Sequence, residues 1–219
     1  MSTTTKEVDN NNNNNNNDVN AFRKKNFVPD TALHTAIFNS MSHTIKYDEF
    51  YIQWLLEEKG VDPNRVKDGL TPLSCATMFG HDSLVKMLLQ HGANPNLQHP
   101  SLRDGMAPLH WTGPWGRADV AEILLEHGAD PLQHMQHGWT PLHCATHTCA
   151  DEVVTVLLNQ TSSNATGSIM TSALHDGGET PLSIARGKGE ACRRTIYRQL
   201  MEIRLQNKSD ELESLVRMK

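Results

Sequence analysis

One phrase returns along this chain and limits what it can fold into. It reads Leu70-Thr71-Pro72-Leu73-Ser74, Met106-Ala107-Pro108-Leu109-His110, Trp139-Thr140-Pro141-Leu142-His143 and Glu179-Thr180-Pro181-Leu182-Ser183, with a looser copy at Thr31-Ala32-Leu33-His34. From Leu33 through Leu73, Leu109 and Leu142 to Leu182 the steps are 40, 36, 33 and 40 residues. Self-similarity at such a period marks a stack of like units, none of which buries its apolar faces alone. The chain is therefore an array and not one indivisible core.

A second element travels with the first. Leu88-Leu89-Gln90-His91-Gly92-Ala93-Asn94-Pro95-Asn96 and Leu124-Leu125-Glu126-His127-Gly128-Ala129-Asp130-Pro131 lie at matching offsets, and Leu55 to Asn64 is a stretched copy. Threonine before Pro-Leu predicts a helix N-cap with proline in the first turn. Apolar pairs such as Leu84, Val85, Leu88 and Leu89 predict a second helix with one buried face. Gly60, Gly92 and Gly128 then predict left-handed C-caps.

With both elements in register, the chain resembles the ankyrin-repeat family from about Pro29 to about Met201, in about five repeats. The resemblance implies an all-α solenoid of paired antiparallel helices with β-hairpin tips. It puts the tight turns of those tips at Asp68-Gly69, Asp104-Gly105, His137-Gly138 and Gly177-Gly178.

Three regions follow: an Asn-rich tail over 1–26, expected to be disordered around the run Asn10 to Asn17; a repeat domain over 27–206; and a tail or short helix over 207–219. Insertions fall at 38–48 and 159–175, the second expected to form a mobile loop through Thr161 to Ser168. The last repeat carries Arg193 and Arg194 where the second has Leu84 and Val85. Its apolar residues, Cys192, Ile196, Leu200 and Ile203, form the narrower stripe of a terminal cap. Pro114 is expected to truncate or kink its helix.

A net charge of −5 and a pI near 6.2 argue against a nucleic-acid binder, whose footprint is a basic face. No apolar run is long enough for a membrane span, and the N-terminus has no apolar secretion signal. The expected protein is soluble, cytoplasmic or nuclear, and monomeric alone, with four reduced cysteines.

His143, Cys144, His147 and Cys149 gather thiol and imidazole, the raw material of a zinc site or a cysteine nucleophile. Yet His143 belongs to the repeating phrase, whose histidine in the ankyrin resemblance bridges neighbouring turns, and Cys144 stands at an apolar position. Paired zinc-finger spacing is missing, as are phosphate-binding loops and nucleophile elbows. No catalytic, cofactor or metal residue is assigned. In the ankyrin resemblance, partner contacts come from the hairpin tips and the end of the first helix, lining a concave face. On this chain those positions are Lys67, Leu70, Met78 and Phe79; Arg103, Met106, Pro114 and Trp115; and Gln136, Trp139, His147 and Thr148. The expected function is an adaptor, scaffold or inhibitor that binds another protein. A chaperone or regulatory subunit of a large assembly is the alternative. A metal-binding or enzymatic protein using His143 to Cys149, or a tether built on the asparagine tail, ranks below both.

Overall fold

The computed structural model describes residues 32–39, 49–98, 105–159, 178–189, 193–205 and 209. The Asn-rich tail, the segment Thr161 to Ser168, Arg103 and the C-terminal residues Leu212, Leu215 and Val216 lie outside them.

Ten helices among the described residues form five pairs. The inner helices are α1 (Ala32–Asn39), α3 (Pro72–Phe79), α5 (Pro108–Trp115), α7 (Pro141–Thr148) and α9 (Pro181–Gly187). The outer ones are α2 (Glu49–Glu57), α4 (Asp82–Gln90), α6 (Ala118–Glu126), α8 (Asp151–Asn159) and α10, which spans 193–205 and is π-helical over Arg193–Tyr197. Each inner helix packs on its own outer helix and on the inner helices before and after it. Leu33, Leu73, Leu109 and Leu142 repeat along the inner layer and Leu55, Leu88, Leu124 and Leu157 along the outer one, all buried in one continuous core.

The phrase makes helices as its chemistry requires. Thr71 Oγ1 accepts from the Ser74 N–H at 3.0 Å, and Thr180 Oγ1 from the Ser183 N–H at 3.0 Å, each satisfying an orphan donor of the first turn. The side chain three residues on reaches back to the cap as well: the Thr180 N–H donates to Ser183 Oγ at 2.8 Å and the Thr140 N–H to His143 Nδ1 at 3.1 Å. Gly60, Gly92 and Gly128 are left-handed, with φ of 59°, 85° and 84°. At the tips, Asp68 and Gly69 take φ of 52° and 77°, and Lys67 and Leu70 exchange two 2.9 Å backbone hydrogen bonds. His137 and Gly138 repeat that turn with φ of 64° and 77°. No strand forms among the described residues, so each hairpin tip seen here is little more than its turn.

Pro114 does not truncate its helix. α5 is eight residues long, as α3 and α7 are, and Pro114 sits inside it without shortening it. A proline disfavours helical backbone at the preceding residue partly through that residue's Cβ, and Gly113 has none. The glycine also serves packing. A Cβ on Gly113 would lie 2.7 Å from the backbone of Ala145 in α7, so the two inner helices touch at a point where only hydrogen fits. The flanking repeats carry Thr77 and Thr146 at this place.

Outside the helices, asparagines tie successive repeats together. Asn64 donates to the Gly92 carbonyl at 3.0 Å and accepts from the Asn94 N–H at 2.7 Å. Asn96 does the same one repeat later, to the Gly128 carbonyl at 2.9 Å and from the Asp130 N–H at 2.8 Å. The next place in the series is Leu132, and the ladder ends just before the repeat with the 159–175 insertion. At the far end, α10 buries Ile196 and Leu200 and exposes Arg194, Arg198 and Arg204, as the cap reading expects.

Gly113→Ala should lower unfolding stability by roughly 1 to 3 kcal/mol, the usual range for overpacking a tight contact. Gly187→Ala, with open space around it, should leave the urea midpoint unchanged or slightly higher. Equal midpoints for the two variants would contradict the close approach of α5 and α7.

Candidate functional site

Two buried histidines set the tips. His34 Nε2 donates to the Leu70 carbonyl at 3.0 Å and His110 Nε2 to the Trp139 carbonyl at 3.3 Å, so each histidine anchors the tip of the following repeat. Both rings are enclosed, and burial lowers both pKa values, that of His110 to about 4. His143 holds its own repeat's cap instead. The bridging role implied for that histidine falls to His34 and His110.

The anchored tips and the inner helix ends carry most of the expected partner residues. Trp115, last in α5, is 46% exposed. Phe79, last in α3, is half-buried, with its ring 5.6 Å from that of Phe38 in an edge-to-face contact. Met78 is half-buried, and its carbonyl accepts from Arg117 Nε at 3.3 Å, a link between the second and third repeats. Lys67, Met106 and Trp139 are half-buried, whereas Gln136, His147, Pro114 and Thr148 are exposed. Trp139 stands 5.2 Å from the His147 ring and 6.2 Å from that of His143. Partial desolvation of His147, with Lys188 nearby, lowers its pKa. Arg103 lies outside the described residues.

Leu70 does not belong with them. It is 4% exposed, part of the core, and only its carbonyl faces the tip. It precedes the N-cap Thr71, a position whose side chain folds back onto its own helix. Phe38 was missed by the sequence reading, which assigned it to the 38–48 insertion. It is 46% exposed and stands five residues after Leu33, as Met78 stands five after Leu73. That offset was the available signal.

The His143 to Cys149 cluster is divided among structural tasks. Burial pushes the Cys144 thiol up to about 12, so it stays protonated, and its Sγ faces Met135 Sδ at 3.9 Å. A protonated buried thiol is a poor nucleophile and a poor metal ligand. Among the described residues no group of three or more His, Cys, Asp or Glu side chains is placed to hold a metal ion. The expectation of four reduced cysteines needs correction: Cys149 is disulfide-bonded, whereas Cys75 and Cys144 form no disulfide. Cys149 also has φ of 60°, where the equivalent turns use Gly80 and Gly116.

Comparison with known proteins matches the repeats. The family model for ankyrin repeats, which spans three copies, fits residues 8–99, 48–135 and 98–167. A Fowlpox virus (strain NVSL) protein named for ankyrin repeats is 43% identical over 60 residues, 27% of this chain. The match spans 11% of that protein's length. No helix among the described residues is long and apolar enough to cross a membrane.

The histidines predict an acid-sensitive fold. With a folded pKa near 4 against 6.5 for the free side chain, His110 stays neutral in the fold while the unfolded chain takes up a proton. Its contribution is present in full above about pH 6.5 and is lost as pH falls towards 4, a loss on the order of 3 kcal/mol. His34 adds to the same slope. Urea midpoints measured across this window should fall more steeply for the wild type than for His110→Gln, and parallel curves would refute the assignment.

Proposed function

Since the chain belongs to the ankyrin-repeat family, we propose that it is a protein-binding adaptor, scaffold or inhibitor whose partner lies across the tips and inner helix ends of its first four repeats. Ankyrin repeats generally mediate protein–protein interaction. The finer reading rests chiefly on one observation: a chain with only 5% aromatic residues leaves Phe38 and Trp115 each 46% exposed at inner helix ends. Phe79, Met78, Met106 and Trp139 stand half-buried beside them, at the tips and helix ends of intervening or adjoining repeats. Aromatic side chains and methionine are enriched where interfaces bury their anchors.

Binding suits this face better than catalysis. The candidate nucleophile Cys144 is sealed in the core, and His34, His110 and His143 are spent on backbone anchoring. What the face offers a partner is a row of large side chains on fixed backbone. The tips of its second and fourth repeats are tied to the previous repeat by His34 and His110, so less ordering cost remains there for binding.

The test begins with affinity purification from the native cell and mass spectrometry of what co-elutes. Trp115→Ala should then weaken the purified complex by about 2 kcal/mol or more, roughly thirtyfold in Kd, with the melting temperature unchanged. Normal partner binding by both Trp115→Ala and Phe79→Ala would overturn the assignment.

A further inference from the structure

The two ends of the solenoid are finished differently. At the C-terminal end α10 turns arginines outward. At the N-terminal end the outer helix α2 shows Phe50, 79% exposed, at the place where α4, α6 and α8 carry Ser83, Asp119 and Glu152. Next to it the rings of Tyr51 and Trp54 stack 5.9 Å apart at 22°, with Lys59 Nζ 5.0 Å from the Trp54 ring. Ser83, Asp119 and Glu152 stay exposed within the stack, so Phe50 extends the outward face of α2, whereas Tyr51 takes the place of the buried Leu84, Val120 and Val153. A terminal repeat needs a polar flank at such a place to stay soluble, and here it is aromatic. Exposed carboxylates border the aromatic flank at Glu49, Glu57 and Glu58, Glu57 being 3.5 Å from His91.

The chain carries a segment that matches this flank. Phe22-Arg23-Lys24-Lys25-Asn26-Phe27-Val28 contains the only aromatic residues ahead of Ala32, and three cations lie between them. Its charge is opposite to that of Glu49, Glu57 and Glu58. The reach also fits. At about 3.3 Å per extended residue, Phe27 can lie up to roughly 16 Å and Phe22 up to roughly 33 Å from Ala32. The nine residues of α2 span about 13 Å at 1.5 Å each. Because the paired helices run antiparallel, the chain reaches Ala32 beside the C-terminal end of α2. Phe27 and Val28 can then meet Trp54 while Phe22 meets Phe50.

We propose that Phe22 to Val28 packs across the aromatic flank of α2 in the same molecule and closes the N-terminal end of the solenoid, so that the folded body begins near residue 22 and not at 27. The asparagine run then extends from a docked segment.

Hydroxyl-radical footprinting of the full chain tests this, with Phe50 and Trp54 as reporters and Trp115 as the reference for an intact fold. Oxidation of Phe50 and Trp54 should be several-fold faster in the Phe22→Asp, Phe27→Asp double variant than in the wild type, with Trp115 unchanged. Lys24→Glu with Lys25→Glu should shift the reporters in the same direction by less. Wild-type protection should survive tenfold dilution. Equal reporter rates in wild type and double variant would overturn the proposal. So would protection that disappears on dilution, which would make a second copy the occupant.

Discussion

Everything in this molecule depends on the lateral contact of one inner helix with the next. At Gly113 against the backbone of Ala145 that contact is so close that no Cβ fits. A single helix pair has apolar residues on both flanks and becomes stable only when neighbours cover them. The buried leucines of the inner and outer layers are therefore shared between repeats. The polar bonds follow the same logic. Those of His34 and His110 cross from one repeat to the next, as do those of Asn64 and Asn96, and all lie within one period in sequence.

That arrangement decides which side chains remain for function. Stacking consumes both flanks of every internal repeat and leaves two strips outside: the outer helices, and the tips with the inner helix ends. Across the internal repeats the first strip is mostly polar, with Ser83, Lys86, Asp119, Glu122, Glu126, Asp151 and Glu152 exposed. The second holds Phe38 and Trp115. Its backbone at Leu70 and Trp139 is held by buried neutral histidines, so the rigidity of those two tips is coupled to pH although neither anchoring ring lies on the surface.

The fold was legible in the sequence because its signals are local. A threonine cap, a proline in the first turn and a glycine with positive φ act within a few residues, and Thr71, Thr180, Gly92 and Gly128 do what their neighbours predict. Less legible were properties set across repeats. Leu70 sits at a tip by spacing, yet its side chain is buried. Pro114 breaks a rule for isolated helices but is tolerated after Gly113, whose own reason lies in another repeat. Phe38 followed the offset of Met78 but was hidden by the insertion beside it. The disulfide at Cys149 depends on a spatial pairing that cysteine spacing does not reveal.

The central claim is that the strip of tips and inner helix ends, and not the outer helices, meets the partner. Site-specific photocrosslinking in the native cell tests it most directly, with a photoreactive phenylalanine placed at Trp115 in one variant and at Glu122, exposed on α6, in another. The account predicts a discrete covalent adduct with the co-purifying protein from position 115 and none from 122. An adduct from 122 alone would contradict it.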